Sequence, residues 1–339
     1  YWRYKMYHSR FKGSHYEAGF KYGKLLSKNN INPLEKIKIS NDRKYFANKC
    51  MPIYNQFFPE IIEEIKGISD GLNTNDNIKI DYKNICEFLF TIYAFTFDNK
   101  CSSFAFKTDN DIILVKNSDF LKDIKNYCDS MYYKINSSYL FIGNTTAFIE
   151  IEDGINEKGL AAALTFVYPT KIDYGFNAGM IIRYILEKCS TVDEALEFLK
   201  NIPISSAQNI ILADRKGSIA LIECNCKKVE IIKNDYVFIS NHFVSKSMKE
   251  YNTNIEDDIY SNERYITMED AFKNYDYDLN FAKKLISGEY GFLCQYDRKL
   301  NFDTVWSAIY SIKNKKVYIA EGNPSRKKFK EDNRLKFDY

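Results

Sequence analysis

Cys101-Ser102-Ser103-Phe104-Ala105-Phe106-Lys107-Thr108-Asp109-Asn110-Asp111-Ile112-Ile113-Leu114-Val115-Lys116-Asn117-Ser118-Asp119-Phe120 is the stretch on which the reading of this chain turns. Residues 103–106 and 112–115 are short apolar runs on either side of Thr108-Asp109-Asn110-Asp111. Such a pattern predicts a strand, a polar turn and a returning strand. Cys101 falls at the start of the first strand, just after the polar break Asp98-Asn99-Lys100.

Upstream the chain has a different character. Residues 14–28 carry apolar positions at helical spacing, with Gly19 and Gly23 four apart so that another element can pack close. A second helix is expected over 53–68, with Pro59-Glu60 opening the turn that places Ile61, Ile62, Ile65 and Ile68 on one face. A third is expected over 82–93, which makes the first hundred residues mainly helical. Downstream, strands are expected over 138–141, 147–151 and 160–166. A helical tract over 177–200 is broken near Ser190, where Thr191 and Glu194 suit a reciprocal cap. Short strands return over 210–213, 219–223, 229–232 and 236–240. Helices over 260–274 and 279–287 follow, then a strand pair over 305–312 and 316–320. Runs of strands, then helices, then strands predict an α+β layering of antiparallel sheets against helices.

Composition narrows the function classes. With 339 residues and 45% hydrophobic content, the chain can fill one large core or two ordinary ones. Its 48 Lys and Arg against 45 Asp and Glu are dispersed, which argues against nucleic acid as a partner. The basic run of Arg326, Lys327, Lys328 and Lys330 reads as a solvated tail. Eight cysteines are scattered through apolar runs, as reduced core thiols are, and the Cys224/Cys226 pair lacks the partners of a zinc site. No metal is expected. The isolated glycines form no phosphate loop, and no cofactor is expected. Apolar stretches such as 88–97 are about half the ~20 residues of a membrane span, so no span is expected. A cytoplasmic protein is the expectation, although a chain starting at Tyr1 leaves a leader open.

With histidine only at positions 8, 15 and 242, a general base is scarce. A cysteine made N-terminal by peptide cleavage escapes that constraint. Its own α-amine, with a pKa of about 7.7–8.0, lies within reach of its thiol. Cys101 is the cysteine placed for this role.

Cys101-Ser102-Ser103-Phe104 followed by Val115-Lys116-Asn117-Ser118-Asp119-Phe120 resembles the opening of the choloylglycine hydrolase and acyl-coenzyme A:6-aminopenicillanic acid acyltransferase families of N-terminal-nucleophile (Ntn) hydrolases. The likeness continues through Asp153-Gly154-Ile155-Asn156-Glu157-Lys158-Gly159-Leu160, Ile211-Leu212-Ala213-Asp214, Ser240-Asn241-His242-Phe243, Ser261-Asn262-Glu263-Arg264 and Glu321-Gly322-Asn323-Pro324. Before the cysteine, Gly13, Tyr16-Glu17-Ala18-Gly19 and Gly23 look like the helical N-terminal segment of the acyltransferase branch.

This resemblance implies a four-layer αββα sandwich. It also implies that residues 1–100 become a separate, retained helical chain after cleavage at Lys100-Cys101, and that 101–339 form the catalytic domain. Cys101 would be the nucleophile, forming a thioester with an acyl donor or amide substrate and releasing it to water or an amine. Asp119 would hold or tune the Cys101 amine, Asn241 would stabilise the oxyanion, and Arg264 would support the nucleophile pocket. Ser103, Lys116 and Thr165 would support the site. Lys116 stands where the bile-salt enzymes have an arginine, Thr165 where they have an asparagine, and Lys100 where the fungal acyltransferase has glycine. Strand alternation turns His242 away from Asn241. Two other classes stay open: an uncleaved, inactive binding or scaffold protein with the same fold, and a papain-like enzyme pairing His242 with an internal cysteine.

Overall fold

The computed structural model describes residues 6–32, 34, 38–95, 99–253, 260–296, 299 and 301–339. Asp98, in the polar break before Cys101, and residues 96–97 of the apolar stretch lie outside them.

A short strand, β1 (Arg10–Gly13), leads into α1 (His15–Lys28). Ser14 and Glu17 close a full capping box at the start of that helix. Then come α2 (Asn41–Phe57), α3 (Pro59–Leu72) and α4 (Tyr82–Leu89). The expected single helix over 53–68 is therefore two. The residue before a proline is driven out of the helical region, and Phe58 takes φ −147° while Pro59 opens the next helix. The unforeseen α2 carries Pro52 in its interior, which masks its periodicity in the sequence. α1 and α3 approach at backbone distance. A Cβ on Gly19 or Gly23 would lie about 2 Å from the carbonyl oxygens of Glu64 or Ile68.

Two sheets follow, built from β2 (Asn99–Lys107), β3 (Ile112–Leu121), β4 (Asp129–Ile135), β5 (Phe141–Thr145), β6 (Asp153–Asn156), β7 (Leu160–Phe166), β8 (Gln208–Asp214), β9 (Ile219–Cys224), β10 (Val229–Lys233), β11 (Tyr236–Ile239), β12 (Phe302–Ser311), β13 (Lys316–Ala320) and β14 (Lys330–Glu331). One sheet has the order β1-β4-β5-β6-β7-β8-β9-β10, the other β11-β2-β3-β12-β13-β14. The helices α5 (Ala178–Lys188), α6 (Val192–Asn201), α7 (Ser261–Asn274) and α8 (Leu279–Ile286) complete the fold.

Alternation along the strands sorts side chains between layers. Ala105, Ile112, Leu114, Ala161 and Ala163 fill the space between the sheets. Phe104, Phe106, Ile113 and Val115 face outward against Phe272 and Phe281 of α7 and α8. On the other side, Leu160, Ala162 and Leu164 pack with α5, α6 and the N-terminal helices in one outer core. This is a four-layer αββα sandwich whose one helical layer is thickened by the N-terminal segment.

Buried ions join that segment to the sandwich. Arg183 on α5 donates to Glu64 of α3 (2.6 Å) and Glu187 (2.5 Å), and His15 of α1 bonds Glu187 at 2.8 Å. Burial alone would lift the Glu187 carboxyl, but the Arg183 charge and His15 bring it down to about 2.

Three local expectations need correction. Residues 147–151 are a buried loop: Phe148 has φ +59°, and the Ile151 N–H bonds the Gly179 carbonyl instead of a strand neighbour. The strand expected over 138–141 lies mostly later, as β5. At α6, Thr191 caps Glu194 N, yet the Glu194 carboxylate reaches back to Ser190 N rather than to Thr191.

Candidate active site

In the hairpin of β2 and β3, Cys101 lies opposite Ser118, Ser103 opposite Lys116, and Lys100 opposite Asp119. Cys101 shares the face of Ala105, so its thiol looks into the space between the sheets, while Ser102 looks toward α7. The uncut strand runs through the Lys100-Cys101 peptide bond, and Cys101 is wholly buried.

Three of the residues nominated from the sequence meet here, Asn241 and Arg264 on the backbone N–H and carbonyl of Cys101. The Cys101 N–H donates to Asn241 Oδ1 at 2.9 Å. Arg264 Nη1 donates to the Cys101 carbonyl oxygen and, at 2.9 Å, to the Ser102 hydroxyl. Its Nη2 donates to Asn241 Oδ1 at 2.7 Å. With two donors on Oδ1, the Asn241 amide is oriented, and its Nδ2 donates to the Phe166 carbonyl at 2.7 Å.

Local structure explains this convergence. Asn241 follows β11, which pairs with β2. Its backbone N–H donates to Ser261 Oγ at 2.8 Å, and Ser261 also contacts His242 Nδ1 (2.7 Å) and Ser240 Oγ (2.9 Å). Ser261 opens α7, and Arg264 follows three residues later, on the same face of the helix. Tyr260 before it has φ +53°, an uncommon conformation for a bulky residue that bends the chain into the helix.

Asp119 accepts from Thr304 Oγ1 at 2.5 Å and from Tyr296 Oη at 2.9 Å. The ladder between β3 and β12 slips between Thr304 and Trp306, a bulge beside the pairing of Thr304 with Asp119. Burial pushes the Asp119 carboxyl up to about 6, against the pull of Arg264, Thr304 and Tyr296. The Cys101 thiol is pushed up to about 12 by burial, with Lys116 and Arg264 pulling it down and Glu152 and Asp119 opposing them.

Lys116 is wholly buried, with its Nζ 3.2 Å from the Glu152 carbonyl, 3.6 Å from Glu152 Oε2 and 4.0 Å from Asp153 Oδ1. Burial alone would lower its ammonium, yet Cys101, Glu152 and Asp153 hold it above its ordinary value. Burial raises Glu152 in turn, although Lys116 and Thr146 oppose this.

The remaining nominated residues have structural partners. Ser103 donates to the Val115 carbonyl within the hairpin at 2.8 Å. Thr165 donates to the Ser240 carbonyl at 2.6 Å, and Asn209 Nδ2 reaches Thr165 Oγ1 (3.2 Å) and the His242 carbonyl (3.2 Å). The Lys100 ammonium lies 4.4 Å from the Phe302 ring centroid.

Sequence reading did not single out Tyr296, Thr304, Glu152 or Asn209. Glu152 adjoins the Asp153-Gly154 motif and is the one the sequence could have flagged. The others act through contacts far away in sequence.

The carboxylates of Glu64 and Glu187, which with His15 form a cluster of metal-ligating type, are occupied by the Arg183 guanidinium. Among the described residues, no helix is long and apolar enough to cross a membrane.

Residues 106–326 match the sequence model of the family described as acyl-coenzyme A:6-aminopenicillanic acid acyl-transferase. The match spans well over half the chain and takes in Lys116, Asp119, Thr165, Asn241 and Arg264, starting just after Cys101. Among solved structures, two variants of the conjugated bile acid hydrolase from Clostridium perfringens are similar at 14% identity, with TM-scores of 0.46 and 0.49 over 70% of this chain and 98% and 99% of theirs. Penicillin V acylase from Agrobacterium tumefaciens is similar at 14% identity with a TM-score of 0.41, over 70% of this chain and 99% of that one.

Proposed function

The chain belongs to the acyl-coenzyme A:6-aminopenicillanic acid acyl-transferase family, and we propose that it is a self-cleaving amide hydrolase or acyltransferase whose nucleophile is Cys101. The observation that carries this reading is the meeting of Asn241 and Arg264 on the Cys101 peptide.

In the first step the Cys101 Sγ attacks the Lys100 carbonyl carbon. The S–C bond forms, the C–N bond breaks, and the Cys101 nitrogen takes the thiol proton to become an amine. Water then hydrolyses the thioester, leaving a Lys100 carboxylate and a free Cys101 thiol. Residues 1–100 stay bound as the N-terminal chain, and the ion cluster around Arg183 supports their retention.

The mature thiol is poorly ionised on its own, since burial has pushed it to about 12 in the uncut chain. The new α-amine supplies the base, taking the thiol proton as sulfur attacks the substrate carbonyl. Lys116 and Arg264 favour the developing thiolate. Asn241 Nδ2 has a second proton beyond the one given to Phe166, and this proton is the oxyanion donor. Asp119, ionised above about 6, holds the protonated amine between transfers. The amine's proton then passes to the departing nitrogen. The acyl thioester on Cys101 goes to water or to an amine acceptor, and the chemistry is the same for either.

Trapping tests this directly. The protein is incubated with an N-acyl amide or an acyl thioester, quenched in acid, and its peptides are weighed. The reading requires the acyl mass on a peptide that begins at Cys101. An acyl mass on any other cysteine, or on none, would contradict it.

A further inference from the structure

With Cys101 as nucleophile, the chain is its own first substrate, and the acyl group passed to the thiol in that reaction is Lys100. The groups around the Lys100 side chain in the uncut chain therefore also face the acyl side chain of a later substrate attacked by the same sulfur.

Lys100, Asp119 and Thr304 pair across β2, β3 and β12 and share one face, and Phe302 lies on that face two residues from Thr304. The Lys100 ammonium is 4.4 Å from the Phe302 ring centroid and 6.0 Å from that of Tyr260. Two further rings join these ends. Tyr260 meets Phe292 at 5.5 Å, Phe292 meets Tyr296 at 5.4 Å, and Tyr296 meets Phe302 at 5.1 Å, each edge-on. Because one cation lies near both ends of the row, the four rings curve round it. Rings so placed attract a cation through their negative faces. The row also belongs to the site: Tyr296 donates to Asp119 at 2.9 Å, and Tyr260 immediately precedes Ser261, which accepts from the Asn241 N–H. Phe302 and Tyr296 are buried while Tyr260 is exposed, so the row runs from the site out to solvent.

We infer that Tyr260, Phe292, Tyr296 and Phe302 form the acyl subsite, and that it takes an acyl group ending in a cationic amine, as a lysyl or 6-aminohexanoyl group does. The inference rests on Cys101 being the nucleophile. Lys100 itself sets the length, since its ammonium stands at the end of a four-carbon stem. Hydrolysis of the Lys100 thioester frees that end of the chain, and the acyl group of the substrate takes its place.

The test separates turnover from binding. For the cleaved protein, kcat/KM is measured on the aminocoumarin amides of 6-aminohexanoate and of heptanoate, its neutral isostere. Thiol attack breaks the amide C–N bond, the aminocoumarin leaves with the thiol proton, and water clears the acyl group from Cys101. The cationic amide should be preferred about five- to thirtyfold, as a cation over a desolvated aromatic face is. Phe302→Leu should erase the preference, and Phe302→Tyr, which keeps a ring, should retain it. Binding is read in the uncleavable Cys101→Ala protein with Lys100→Ala added, which vacates the subsite. There n-butylammonium, with the length of the removed side chain, should bind about five- to thirtyfold more tightly than 1-butanol in an NMR titration. Turnover without a preference for the cation, or a preference that Phe302→Leu leaves intact, overturns the inference while Cys101 stands as nucleophile. If butylammonium binds as expected while neither amide is turned over, the reading of Cys101 fails and the cation subsite stands. No turnover and no preference for butylammonium would overturn both.

Discussion

Arg183 and Arg264 are both wholly buried, yet their surroundings have opposite consequences. Arg183 grips the carboxylates of Glu64 and Glu187 and lies 4.0 Å from the centroid of the Tyr133 ring. Its charge is balanced where it sits, and it fastens the N-terminal helices to the sandwich. Arg264 donates to the Cys101 carbonyl, the Ser102 hydroxyl and Asn241 Oδ1. Its charge pulls down both the Cys101 thiol and the Asp119 carboxyl. A buried charge gripped by two carboxylates builds structure, while one set against a nucleophile's own backbone can stabilise charge that develops during a reaction.

The sharpest way to break this contrast is to exchange each arginine for methionine. Arg264→Met should slow self-cleavage by about 10²- to 10³-fold, as loss of an electrostatic donor at a reacting centre does, measured as fragment appearance over time. Arg183→Met strands two buried carboxylates and should cost about 3–5 kcal/mol of stability in urea unfolding. If Arg183→Met slows cleavage as much as Arg264→Met while the protein stays folded, the division of roles is wrong. Next in size, the combined change Glu64→Leu, Arg183→Met and Glu187→Leu should recover the lost stability, or exceed the native value by about 1–4 kcal/mol.

The pH profile sharpens the comparison further. Asp119 has its folded value raised to about 6 by burial, so it favours the fold while protonated and loses that contribution as pH rises through 6. Its ionised form is the one the proposed chemistry uses, so self-cleavage should rise with pH through about 6. Thr304→Val removes a hydrogen bond that lowers Asp119, and should move that limb upward by about one pH unit. A limb unmoved by this change would remove Asp119 from the account. The smallest effect expected is for Ser261→Ala. It leaves the Asn241 backbone N–H without its partner and should slow cleavage about five- to tenfold, corresponding to ~1 kcal/mol.

What could be read from the sequence follows the range of the interactions. The hairpin carrying Cys101 is specified by a local alternation and a polar turn, and it forms where expected. The glycines of α1 announce a close neighbour, which proves to be α3. Longer-range effects escape such reading. Residues 147–151 have strand composition, but Ile149 and Ile151 are drawn into the helical core, and the backbone bonds α5 instead of a strand. In the site, Asn241 and Arg264 lie in quoted motifs, whereas Tyr296 and Thr304 reach Asp119 across more than 170 positions of sequence. The parallel strand β1 is short and joins β4 from far away, a pairing that no local pattern encodes.

Intact mass spectrometry of the purified protein beside its Cys101→Ala variant tests the central claim most directly. The account predicts that the wild-type chain of 39.8 kDa separates under denaturing conditions into one fragment ending at Lys100 and one beginning at Cys101, while the variant stays whole. Two whole chains would contradict it and favour an uncleaved binding or scaffold protein.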